Sequence, residues 1–259
     1  MTSLSAPHGV SLKRFLSCVA LLILPAGLLA QPLYPNSVAS NDLDFIRPDD
    51  PAACWSLTRT ARARTEMYDP RRDILFVEGA FQFTVTFADH NMRLNVHPKT
   101  RNPAQRARQA AASVARLPGE MRRAVTYVNI LDGDGAAWED AQGGFFTLYD
   151  GLMARRLAEH DLDETVFHEA AHVALDPVLS NDPDWRANQQ ADGAFITRYA
   201  AENPDKEDIA ETALFVWTML YHPGRLPVGV EAAVRATIPN RLEYMGHMLV
   251  GFDPPVCAD

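Results

Sequence analysis

Residues 166–177 read Val-Phe-His-Glu-Ala-Ala-His-Val-Ala-Leu-Asp-Pro, and this stretch restricts the fold more than any other. Asp161 with Glu164 three residues later matches a helix start, acids standing at the positive end of the helix dipole. The spacing predicts a helix over about 162–175. Positions four apart are separated by about 400° of rotation, so His168 and His172 share one face, a turn apart. A polar trio in an apolar run needs partners; it is either a site or a solvated helix face. Two neutral imidazoles held this way can grip one Zn²⁺ at about 2.0–2.1 Å. Glu169, turned by about 100° from His168, would sit beside such an ion and not on it.

A third ligand is required, and the sequence narrows the choice. An extended HExxHxxGxxH site would place glycine at 175 and histidine at 178, where this chain has Leu175 and Val178. Asp182 and Asp184 lie ten and twelve residues past His172, without the glycine-threonine context an aspartate ligand of that class would have. The stronger candidates are in YAAENPDKEDIAETALFVWTMLYHP, residues 199–223. Asn203-Pro204-Asp205 reads as a loop into a largely apolar helix, with Glu207 and Glu211 on one face at its start. Carboxylates on an apolar helix are costly unless a cation neutralises them.

HExxH followed some tens of residues later by a helix with Glu-xxx-Glu resembles the gluzincin superfamily of zinc peptidases. NPDKEDIAET is similar to the ExxAE segment of lethal-factor-type and related bacterial members. The resemblance covers roughly 166–212. It implies Zn²⁺ held by His168, His172 and Glu207, with Asp208 or Glu211 as alternative third ligands. It also implies Glu169 as the catalytic general base and Glu211 as the acid holding a ligand histidine through its other ring nitrogen. Tyr199, eight residues before Glu207, matches a tyrosine that would hydrogen-bond the developing oxyanion; an ordinary half-buried tyrosine is the alternative. The implied activity is hydrolysis of peptide bonds by a metal-activated water, on a peptide or protein substrate. The competing readings are a non-catalytic zinc-binding secreted domain, structural or partner-binding, and a domain whose HExxH is incidental.

The rest of the chain reads as α+β. Residues 55–68 are expected to form a first helix. ILFVE (74–78), FQFTVTF (81–87, with clear alternation), MRLNVHP (92–98), AVTYVNIL (124–131) and GGFFTLYDG (143–151) are predicted strands. Residues 103–116 begin with proline and are alanine-rich, a helix by propensity and by start signal. From about 160 onward the texture is helical. The pattern gives a strand-bearing N-terminal lobe and a helical C-terminal lobe. The resemblance adds a zincin-like arrangement: a mixed sheet with a helix in the first lobe, and a metal cleft between the lobes. GGFFTLYDG is a candidate edge strand for a peptide substrate, with a plain sheet strand as the alternative. Trp185, Gln189, Gln190 and Asp192 are expected to pack the lobe.

Residues 1–30 read as a signal peptide: Lys13 and Arg14, an apolar run from Phe15 interrupted by Pro25, and a small Ala30 at the expected cut. The run is shorter than the roughly 20 apolar residues of a membrane span; a retained anchor is the alternative. Residues 31–53, rich in Pro, Asp, Ser and Asn, are an expected extended leader, and 54–259 a single domain. These features place the protein in a secreted or periplasmic setting without stable membrane insertion after cleavage. There Cys54 and Cys257 are expected to pair, with two free thiols as the alternative. The net charge is −9, with few lysines and no dense basic cluster, which argues against nucleic-acid binding.

Overall fold

The alternation of Phe81, Phe83, Val85 and Phe87 places a strand at the centre of the N-terminal half. The computed structural model, which describes residues 31–60 and 62–257, builds a sheet outward from it. Strand β3 (Ile74–Phe87) is continuous through Gly79 and Ala80, joining what the sequence suggested were two strands. Its first half pairs with β2 (Ala63–Asp69), and its second with β1 (Trp55–Arg59) and β4 (Asn91–Val96), all antiparallel. The sheet continues through β5 (Tyr127–Leu131) and β7 (Phe145–Tyr149), each parallel to its predecessor, and ends at β6 (Trp138–Asp140), antiparallel to β7. The order along this path is β1-β3-β4-β5-β7-β6, with β2 beside β3.

The expected helix over 55–68 is two strands instead. Trp55 faces Phe87 and Arg59 faces Phe83 across β1 and β3, and seven consecutive residues of β2 pair with β3. The arginine- and alanine-containing stretch has fair helix propensity, but pairing with a long neighbouring strand outweighs such a weak preference. GGFFTLYDG also differs from one reading of it: β7 has neighbours on both sides, and all five of its residues are buried. On this side of the sheet the edge strand is β6.

Helices α1 (Pro103–Ala115) and α2 (Gly119–Ala124) connect β4 to β5, and α3 (Asp150–Glu159) leads from β7 into α4 (Leu162–Leu179). Both α1 and α2 pack against α4, which also touches β6 and β7. The C-terminal part adds α5 (Pro183–Asp192), α6 (Arg198–Glu202), α7 (Glu207–Tyr221), α8 (Val228–Thr237) and α9 (Pro239–Leu249). Helix α7 lies along α4, and almost all of its residues are buried. The described residues thus form an α+β fold with a mixed open sheet and nine helices.

Residues 31–53 are irregular, with bends and a single short 3-10 turn at Val38–Ser40, yet Val38, Phe45 and Ile46 are buried in the main core. Of the segment expected to pack the lobe, Trp185 is fully buried and Asp192 receives Arg241, whereas Gln189 is half-buried and Gln190 is exposed. Cys54 and Cys257 form a disulfide across a sequence separation of 203. Among the described residues no helix is long and apolar enough to cross a membrane. The signal-peptide reading of residues 1–30 lies outside the described residues.

Candidate metal centre

Helix α4 is buried along most of its length, so its polar face must find partners inside the protein. It finds them on α7. His168, His172 and Glu207 are all buried, and one ligand atom from each lies within 4.8 Å of the others. The Nε2 atoms of the two histidines are 3.2 Å apart, and Glu207 Oε2 is 3.2 Å from the first and 3.1 Å from the second. A tetrahedral ion with bonds of about 2.0 Å separates its donors by about 3.3 Å. Two imidazole nitrogens and one carboxylate oxygen at these spacings therefore fit a divalent cation such as zinc, as three corners of a tetrahedron.

The outer nitrogens are also provided for. His172 Nδ1 is 2.9 Å from Asp176, one turn further along α4. His168 Nδ1 lies 3.5 Å from Glu211 Oε1, an ion-pair distance without hydrogen-bond alignment. Glu211 is thus beside the ring nitrogen facing away from the triad, as the Glu-xxx-Glu reading expected, and it has no exposed surface. Asp176 lies just beyond the helix expected over about 162–175. The helix instead runs on to Leu179, and the four-residue spacing from His172 was the available signal. Asp208 is excluded as a third ligand by its own commitments: it pairs with the fully buried Arg241 at 2.5 Å and accepts from Gln189 at 2.9 Å. Asp182, for its part, caps α5 and accepts from Tyr244.

Burial disfavours charge on both imidazoles. The Glu207 carboxylate, joined at His172 by Asp176, outweighs this and raises both pKa values. Burial would likewise push Glu207 up, but the two histidines hold it well below the usual carboxylate range. Glu169 has no such stabilisation. It is 7 % exposed, its Oε2 has no hydrogen-bond partner, and burial raises it to about 7 against the pull of His168 and His172. A carboxyl group poised near neutrality beside a cation site is suited to accept and return a proton.

Tyr199, just inside α6, lies with its ring 6.4 Å from that of His168. Partial burial, then the neighbouring Glu207 charge, raises its phenol pKa, so it remains a hydrogen-bond donor. Two further residues escaped the sequence reading. Lys206, immediately before α7, is 3.2 Å from Glu139 on β6 and 3.9 Å from Glu207. The pair joins the β6 edge of the sheet to the start of α7, and only the fold brings them together. His222, just after α7, lies away from the triad, 3.7 Å from Asp50. Set against known proteins, the chain matches no family model, no curated protein and no solved structure.

Proposed function

We propose that this protein is a zinc-dependent metallopeptidase of the gluzincin type, acting on peptide or protein substrates in a secreted or periplasmic setting. The observation that carries this reading is geometric: the ligand atoms of His168, His172 and Glu207 gather in the core within 4.8 Å of one another, with Glu169, a buried acid with an unpartnered oxygen, set next to them. A metal held only for stability would gain nothing from an unsatisfied carboxyl beside it, which costs folding free energy. His168, His172 and Glu207 would hold the ion. When bound, zinc supplies Lewis acidity and lowers the pKa of a water to about 7.

The chain's own residues supply the rest. Glu169 takes a proton from the attacking water and returns it to the departing amine nitrogen. Tyr199, with its ring 6.4 Å from that of His168, would donate to the oxygen that gains charge as the carbonyl is attacked. Glu211 and Asp176 orient the two histidines through their outer nitrogens. The free edge of β6, which touches α4, offers main-chain hydrogen bonds to an extended peptide.

The test combines zinc content of the purified protein with cleavage of a peptide library, using Glu169→Gln as the control. We expect one zinc per chain in both proteins, and a loss of turnover of about 10²–10⁴-fold in the variant. Zinc without cleavage would support the non-catalytic alternative; protein free of zinc would remove both.

A further inference from the structure

Glu211 has no exposed surface, yet neither of its carboxyl oxygens is satisfied by the helix that carries it. Both are met by the N-terminal segment, more than 170 residues away in sequence. The Ser37 hydroxyl donates to Oε1 at 2.6 Å, and the Val38 N–H donates to Oε2 at 2.8 Å. The hydroxyl has a defined direction, because its oxygen accepts the Ala39 N–H at 3.3 Å while its hydrogen is directed to Glu211. This short cap, at the entry to the 3-10 turn, holds Glu211 together with a hydrogen bond from Thr197 while its Oε1 faces His168 Nδ1 at 3.5 Å.

The segment is itself fastened at both ends. Tyr34 forms a parallel bridge with Thr197: its N–H donates to the Ile196 carbonyl at 3.0 Å, and its carbonyl accepts from Arg198 at 2.9 Å. Its ring stacks on Phe215 of α7 at 5.8 Å, and Phe45 meets the same Phe215 edge-on at 4.8 Å. Further along, the Ile46 N–H donates to Glu164 of α4 at 3.0 Å. One stretch of chain therefore reaches buried acids on both helices that carry the triad.

We propose that Ser37 is a positioning residue of the metal centre: with the Val38 N–H it fixes Glu211 against His168, so that the N-terminal segment sets the affinity for the ion. This rests on the metal-binding part of the proposed function and not on peptidase activity. Groups that orient a ligand histidine typically contribute 10–100-fold in metal affinity. Ser37 acts one step further out and shares its load with Val38, so its loss should cost about tenfold.

The experiment titrates zinc against a competing chelator and records the visible spectrum of the cobalt-substituted full-length protein. It compares wild type with Ser37→Ala, Ser37→Thr, Glu211→Gln and the Ser37→Ala/Glu211→Gln double variant. We expect Ser37→Ala to weaken zinc binding about tenfold and shift the cobalt bands, and Ser37→Thr to restore both. In the Glu211→Gln background the Ser37→Ala change should add little, because the two residues act through one contact. An affinity within about twofold of wild type with an unchanged cobalt spectrum, or effects that simply add, would overturn the proposal while leaving the metal centre standing. A wild-type protein that binds neither ion would overturn the metal reading together with it. If Ser37→Ala does not fold, Ser37→Thr and Glu211→Gln decide the matter: a threonine variant that folds yet loses affinity, or a glutamine variant that binds zinc as wild type does, counts against it.

Discussion

Replacing Glu164 with glutamine should stabilise the protein at alkaline pH relative to its stability at acid pH. Glu164 is 2 % exposed; one oxygen accepts the Ile46 N–H at 3.0 Å, and the other has no partner. Burial, only partly offset by that backbone bond, raises its pKa from the ordinary 4.5 to about 8. The folded state therefore holds this proton more tightly than the unfolded state. The associated stability is fully present below about pH 4.5, declines as the pH rises, and is gone above about pH 8. Each tenfold difference in proton affinity is worth about 1.4 kcal/mol, so the whole span is on the order of 5 kcal/mol. Glutamine matches the neutral acid in shape and does not titrate. Its amide leaves one buried donor unpartnered, a cost independent of pH. The difference between variant and wild type should thus grow by a few kcal/mol from pH 5 to pH 9. Denaturant unfolding with chelator present, at several pH values, measures it. The histidines and other acids titrate in both proteins and cancel in the difference. Parallel stability curves for the two proteins would refute the reasoning.

Other consequences follow from the same packing. Asp208→Asn should leave zinc binding near one per chain while destabilising the fold by about 1.5–3 kcal/mol, because the buried Arg241 guanidinium loses one of its two carboxylate partners and keeps Asp192; calorimetry and metal analysis of the same sample check this. Replacing Cys54 and Cys257 with serine opens a loop of 203 residues, which in the chain-entropy picture costs about 5 kcal/mol. The melting temperature should fall, and reductant should lower wild type toward the variant without affecting the variant itself.

Much of the candidate site is written locally. The four-residue step from His168 to His172 and the same step from Glu207 to Glu211 need only helix periodicity to put each pair on one face, and the apolar residues around them require that face to be buried. The strands with clear alternation, such as 81–87, and the proline-led helix α1 were legible for the same reason. Where two preferences competed at short range, local reading failed. Residues 55–68 have fair helical propensity, and only the presence of the long β3 strand beside them makes pairing the better arrangement. The helix expected to end near 175 continues to Leu179 and delivers Asp176 to His172.

Tertiary structure alone decided which of several acids faces the histidines. Glu207, Asp208 and Glu211 are equally acidic on paper; Arg241 from α9 claims Asp208, and Ser37 and Val38 from the N-terminal segment claim both oxygens of Glu211. Those partners are tens to almost two hundred residues distant, and no periodicity encodes them. A helix repeat determines which side chains share a face, because that depends on rotation per residue. Which of them is drained of charge, held still or left unsatisfied depends on what the rest of the chain packs against that face, and this is settled only when the core closes.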